Sequence, residues 1–259
     1  MRAVTVIGLG EAGATYAAAL YAAGHKVTGF DPVAPTTPAG VTRAATAAQA
    51  CAGADIVLVM TGAAAARSVA QECLPVLDAG SCYADFTSSS PGVMEELGQL
   101  PGKADFADVA ILGPVAALGE KTPLMVSGPG AQAVADLLGP LGVEVEIAAG
   151  EPGAAMAHKL LRSVLMKGLA SVVVEAVTAG RAAGLEEWIR AQIAGQLAGD
   201  GQAVIDRFLT GTAKHAVRRS KEMQDTASYL ADLGVPAEMT TASAAALSRM
   251  ARATEPALR

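Results

Sequence analysis

The stretch AVTVIGLGEAGATYAAALYAAGHKVTGFD, residues 3–31, joins an apolar run, a glycine-rich turn, an alanine-rich helical pattern and a second apolar run that ends in an acid. Gly8, Gly10 and Gly13 form G-x-G-x-x-G directly after the first run and at the start of the helical pattern. In that setting the three glycines serve three separate needs, namely a tight turn, close backbone approach to a pyrophosphate, and close packing of helix on strand. The helix N-terminus adds partial positive charge. Asp31 lies 23 residues after Gly8 at the end of the second strand, where a carboxylate can accept hydrogen bonds from adenosine ribose hydroxyls. The other reading of Asp31 is a turn cap before Pro32, a frequent use of Asp. A carboxylate there repels a 2'-phosphate, so these residues favour NAD. NADP stays open because Arg43, at the end of the third strand, could swing in.

The same rhythm continues outward. GVTRA (40–44), ADIVLVM (54–60), SCYADF (81–86), FADVAILG (106–113), PLMVSG (123–128) and VEVEIA (143–148) read as strands. Small apolar residues at helical spacing over 13–23, 46–53, 65–78 and 130–139 fill gaps between them, and PVAPTTP (32–38) reads as a loop. Such alternation predicts an α/β, doubly wound Rossmann-type domain around a parallel sheet. After GEPG (150–153) the strand signals stop, and a helical pattern runs on, which predicts an all-α second domain. The expected division is a dinucleotide-binding domain at 1–152 and a helical domain at 153–259. The first of the later helices, about 154–179, is apolar on most faces and is expected to be buried. Along it Lys159, Ser163, Lys167, Ser171 and Glu175 fall on one line, four residues apart.

A length of 259 residues agrees with two domains. With 52% hydrophobic and 17% charged residues the chain has ample material for a core, and disorder is excluded; with 3% aromatics that core must be aliphatic. The mean hydropathy of +0.38 raises the question of a membrane span. Yet the longest stretches without Asp, Glu, Lys or Arg run only from Ala12 to His25 and from Thr122 to Ala135, short of the ~20 residues a span needs. The opening MRAVTVIGLG superficially suggests a signal peptide, but Glu11 interrupts it, and a strand entering a turn fits better. Cys51, Cys73 and Cys82 are odd in number and lack CxxC or metal-ligand spacing, which argues against a disulfide framework or a zinc site and for a reducing, cytoplasmic setting. A net charge of -6, with no basic run beyond Arg218 and Arg219, gives nothing for nucleic acid to bind. The expected partner is a small molecule or a second copy of the chain.

Beyond the glycine loop, three segments resemble the β-hydroxyacid dehydrogenase family within the larger 6-phosphogluconate dehydrogenase superfamily. DFTSSSP (85–91) is similar to the family's Asp-x-Ser-Thr-x-x-Pro, and the resemblance puts Thr87 and Ser88 at a substrate carboxylate. DVAILGPVAALGEKTPLMVSG (108–128) is similar to the stretch in which a Ser-Gly-Gly touches substrate; here Leu112, Gly113 and Pro114 stand in that place, so a polar contact is lost. GEPGAAMAHKLLRS (150–163) resembles G-x-G-x-x-x-K-x-x-x-N, with Gly153 on the first glycine and Lys159 on the catalytic lysine. Ala155 replaces the second glycine, and Ser163 replaces the asparagine without its paired donor and acceptor. KLLRSVLMKGL with HAVRRSKEM resembles a subset of short phosphogluconate-dehydrogenase-like proteins with a compact helical C-terminal domain. Lys221, Glu222 and Met223 align loosely with the family's late Lys-Asp-Leu. A homodimer is a further implication, with 153–259 as a substrate and dimerisation domain.

Hydride transfer between nicotinamide and a carbinol carbon needs a partner proton transfer at oxygen, and a placed lysine can serve as general acid or base. Lys159 is the candidate, and apolar surroundings would make its neutral form accessible. His215, Arg218, Arg219 and Lys221 form the one basic cluster; Arg219 and Lys221 are candidates to meet an anionic substrate group, and a solvated helix face is the plainer reading. The expected activity is an NAD(H)-dependent oxidoreductase acting on a small hydroxy acid or its carbonyl counterpart. Its rivals are an imine reductase on the same architecture and a non-catalytic dinucleotide sensor.

Overall fold

The apolar runs become eight strands in the computed structural model, which describes residues 1–254. They are β1 (Ala3–Ile7), β2 (Lys26–Phe30), β3 (Thr42–Arg43), β4 (Ile56–Val59), β5 (Cys82–Asp85), β6 (Asp105–Ile111), β7 (Leu124–Ser127) and β8 (Val145–Ile147). Between them run α1 (Glu11–Ala22), α2 (Ala47–Cys51), α3 (Ala66–Cys73), α4 (Pro91–Gly98), α5 (Val115–Leu118) and α6 (Ala131–Leu138). The strands form one sheet in the order β3-β2-β1-β4-β5-β6-β7-β8, and its first six positions follow the Rossmann order.

Period-two alternation sends the central strands into both faces. Ile56 and Leu58 of β4 enter one apolar cluster with Tyr16, Ala17 and Leu20 of α1 and Val134, Leu137 and Leu138 of α6. Val57 and Val59 enter the other, with Ala66 and Ala70 of α3 and Met94 and Leu97 of α4. Cover on both faces is why IVLV reads as a continuous apolar run, and each buried Leu or Ile contributes about 1.5–3 kcal/mol. Two of the helices start where short polar side chains cap them: Thr46 accepts from Gln49 N ahead of α2, and Ser90 accepts from Val93 N ahead of α4, with Pro91 in the first turn.

The sheet departs from all-parallel at β7, which pairs antiparallel with β6; β8 then runs parallel to β7. The link from β6 to β7 holds only α5 and one 3-10 turn, too little to cross a face of the sheet, so the chain turns back at the same end.

By packing, the chain divides into two compact units, Met1–Arg162 and Ser163–Arg259. The last strand ends before 152, but Ala155 and Met156 of α7 (Ala154–Ala182) are buried in the second sheet cluster, which carries the first unit through that helix's opening turns. The second unit holds the rest of α7 with α8 (Glu186–Leu197), α9 (Gly201–Lys214), α10 (Ala216–Asp232) and α11 (Glu238–Thr254). There α10 and α11 pack on each other, pinned by Ser220 Oγ to Ser248 Oγ at 2.6 Å. The expectation that α7 is buried is corrected. Only Ala155 and Met156 are buried on it, and Leu161, Val164 and Leu165 are 72%, 75% and 64% exposed. Its apolar residues lie on more faces than the other helices of one chain cover. Among the described residues no helix is long and apolar enough to cross a membrane.

Candidate active site

The three glycines of the first loop are held to three different geometries. Gly8 sits at φ +90, a backbone state side chains disfavour, and a Cβ on it would stand 2.7 Å from Met60 O. A Cβ on Gly13 would stand 1.8 Å from Gly8 O, so α1 lies directly against the turn. A Cβ on Gly10 would meet nothing within 4 Å; that residue caps α1 with no side chain bonded to the helix's first N–H groups. Tight turn, tight helix packing and an open approach to an uncapped helix N-terminus fit a pyrophosphate.

Asp31 closes the loop from the next strand. Its Oδ2 accepts from Leu9 N at 2.7 Å, and its Oδ1 accepts from Val33 N at 2.7 Å and Ala34 N at 2.9 Å. Burial pushes its carboxyl up, but those N–H groups and the Arg43 charge more than offset this, and the net position is below the usual carboxylate range. Asp31 is thus a turn cap and a brace on the glycine loop, with one acceptor site of its carboxylate left over. Arg43 donates from Nη2 to Asp31 O and Ala34 O, both at 2.8 Å, and so lies beside the same turn.

At the end of β5 the chain turns through Thr87, Ser88 and Ser89. Thr87 is 1% exposed, its N–H donates to Asp85 Oδ1 at 2.8 Å, and its hydroxyl is shared with Ser89 Oγ at 3.0 Å; it faces inward and shapes the loop. Ser88 points out, and Lys159 Nζ donates to Ser88 Oγ at 2.8 Å. Two residues 71 apart in sequence, both expected at the site, are brought into contact. Lys159 is half-buried, and its neighbours Leu160 and Leu161 are 47% and 72% exposed. Because β1 to β6 are parallel, the glycine loop, Asp31, the Thr87–Ser88 turn and Gly113 all follow strand C-termini at one end of the sheet.

Over residues 3–150 the sequence matches the family described as the NAD-binding domain of 6-phosphogluconate dehydrogenase. The chain belongs to that family. It is a family of nicotinamide-dinucleotide-binding dehydrogenases. Residues 181–250 match a domain of unknown function. No curated protein matches the chain. Among solved structures, a conserved protein of unknown function described as similar to 3-hydroxyacid dehydrogenases shares 28% identity over 97% of each chain, with a TM-score of 0.65. A reductive aminase from Aspergillus terreus, in complex with NADPH4, cyclohexanone and allyl amine, shares 19% identity over 98% of this chain and 94% of that one, with a TM-score of 0.80. A variant imine reductase from Myxococcus stipitatus in complex with NAD+ shares 20% over 98% and 94%, also with a TM-score of 0.80. The last two show the fold.

The remaining expected residues are divided between the two units. Gly113 lies in the β6–β7 link against Thr122 and Leu118. Ser163 follows Lys159 by one turn of α7 and opens the second unit. Arg219 and Lys221, two apart on α10, point to different faces. Arg219 Nη1 donates to Thr212 Oγ1 at 2.8 Å, and Arg218 pairs with Glu222, so these two members of the basic cluster are engaged in bonds within the helical unit. Sequence reasoning passed over Asp108, whose Oδ2 accepts from Gly153 N at 2.9 Å and Met156 N at 3.0 Å at the start of α7. The signal was an acid in the middle of an apolar strand, FADVAI.

Proposed function

We propose that this member of the family is an NAD(H)-dependent oxidoreductase acting on a small hydroxy acid or its carbonyl counterpart. The observation that carries the reading is the Lys159 Nζ to Ser88 Oγ bond at the sheet end where the glycine loop sits. A bound nicotinamide dinucleotide supplies or accepts the hydride. Gly8, Gly10 and Gly13 hold its pyrophosphate, and Asp31 beside the turn favours the unphosphorylated ribose. Arg43 is the residue through which NADP would be taken instead. Ser88 orients the substrate carboxylate while Thr87 holds the turn beneath it. Lys159 gives a proton to the carbonyl oxygen in reduction and takes one from the hydroxyl in oxidation. Gly113, Ser163, Arg219 and Lys221 are retained as candidate substrate contacts, with Arg219 and Lys221 suited to an anion. The exposed apolar row on α7 supports a homodimer in which a second chain covers it.

The test starts with calorimetric titration by NADH and, separately, NADPH, followed by a screen of hydroxy acids, semialdehydes and imines. Tighter NADH binding is expected. Lys159→Ala should keep that binding and lose about 10²–10⁴-fold in turnover on the hydroxy acid or carbonyl substrate. Unchanged turnover removes Lys159 from the chemistry, turnover on imines alone assigns the chain to imine reduction, and binding without turnover on any class makes it a sensor.

A further inference from the structure

Two acids of the sheet unit each have one carboxylate oxygen without the partner that its burial demands. Asp85 ends β5, and Asp108 is its direct partner in the β5–β6 register. By strand parity both side chains fall on the face of Tyr83, Phe106 and Ala110, where Ala155 and Met156 of α7 also pack. Both residues are 0% exposed, and among the described residues neither is in an ion pair. Each carboxylate uses one oxygen. Asp85 Oδ1 accepts from Thr87 N; Asp108 Oδ2 accepts from Gly153 N, Met156 N and Ser127 Oγ. The other two oxygens, Asp85 Oδ2 and Asp108 Oδ1, are buried, and no hydrogen-bond donor among the described residues reaches them.

We propose that Asp85 and Asp108 hold one proton between them, carried on Asp85 Oδ2 and donated to Asp108 Oδ1, and that the pair is a positioning device joining the Ser88 turn to the Lys159 helix. One proton removes both defects at once: it gives each orphaned oxygen a partner and reduces two buried like charges to one. The charge remains on Asp108, where three donors already favour it, and the proton goes to Asp85, which is bonded by Thr87 alone. The carboxyl of Asp85 is pushed up to about 6 by burial and by the Asp108 charge, against the Thr87 bonds; that of Asp108 is raised by burial, against its own donors. An ionisable group on the same face is the buried phenol of Tyr83, itself pushed up by burial and then by Asp85. Through Thr87 N the pair fixes the turn that presents Ser88, and through Gly153 N and Met156 N it fixes the first turn of the helix that presents Lys159. The importance of that link for catalysis rests on the function proposed above; the shared proton does not.

The experiment needs neither cofactor nor substrate, so its failure is separate from failure of the functional reading. Thermal midpoints of wild type and Asp85→Asn are compared from about pH 4 to pH 8. The amide that this substitution introduces can keep the Thr87 bond and donate to Asp108 Oδ1, copying the protonated state, so the variant should fold. Folded Asp85 holds its proton to higher pH than unfolded Asp does, at about 3.9. The folded state therefore binds more protons in that window, and wild type should lose stability relative to Asp85→Asn as pH rises from about 4 to about 6, with a constant gap above. A gap that is flat throughout overturns the proposal. Carboxyl carbon NMR of wild type gives a second reading: one carboxyl should remain protonated above about pH 5, and both titrating below about 4.5 also overturns it.

Discussion

The two units treat their large apolar side chains in opposite ways. In Met1–Arg162, Ile7, Ile56, Leu58, Tyr83, Leu97 and Leu124 are at most 1% exposed. In Ser163–Arg259, Val164, Leu165, Trp188 and Leu209 are 75%, 64%, 59% and 70% exposed, and the buried set is small: Ala216, Leu230, Val235, Ala244 and Leu247. A sheet flanked by its own helices closes its core within one chain. A long helix that is apolar on most faces does not, and an exposed apolar surface of this kind marks an interface. The first unit is therefore where stability is set by internal fit, and the second keeps large apolar side chains that its own described residues leave exposed.

The sharpest test of internal fit is inside the glycine loop. Gly13→Ala puts a methyl 1.8 Å from Gly8 O, backbone that cannot yield without moving α1. The expected cost is about 3 kcal/mol or more, with loss of NADH binding. Gly10→Ala meets open space, so its stability should match wild type within about 1 kcal/mol while NADH affinity falls. Equal stability of the two variants in thermal unfolding would mean that α1 is not held against the turn.

This contrast also marks how far the sequence could be read. All eight strands were legible because each is a β-rich apolar run bounded by turn residues, and the glycine loop was legible because its three positions have separate geometric duties. The direction of β7 was not, since an apolar run reads the same in either sense and only the length of the preceding link decides it. At the site, Ser88 and Lys159 were each named through family resemblance, but their direct contact was not legible in the sequence. The inward turn of Thr87 could not be foreseen, because adjacent hydroxyls in DFTSSSP are alike until the backbone assigns one to Ser89. Asp31 fulfils the bland expectation and braces the loop as well, which spacing alone could not distinguish. The burial of α7 was misread because hydrophobicity reports what must be covered, not which chain covers it.

That last point gives the next largest effect. Val164→Glu with Leu165→Glu places two charges on the exposed apolar row of α7. If a second chain covers that row, sedimentation should show wild-type dimers and variant monomers, with the dissociation constant weakened at least about tenfold, or ~1.4 kcal/mol. Unfolding of the sheet unit should stay unchanged. Wild-type protein that sediments as a single chain throughout the micromolar range would remove the homodimer.

The smallest effect lies within the helical unit, at a bond that works by charge and not by fit. Glu175 on α7 accepts from Met239 N at 2.7 Å and Thr240 N at 2.8 Å, the first turn of α11, and from Thr240 Oγ1 at 2.6 Å. Partial burial raises its carboxyl, the Thr240 hydroxyl and the two N–H groups more than offset this, and the net position is below the ordinary range. A group depressed in the folded state stabilises above its unfolded value, about 4.3, and that stabilisation is lost as pH falls through the folded value. Glu175→Gln should therefore cost about 1 kcal/mol at pH 7, as loss of a helix cap does, and the cost should shrink toward about pH 3. Thermal midpoints at the two pH values decide it. A gap that persists in acid would show that the carboxylate's charge contributes little and that its shape, packed beside Met239, is what holds α11.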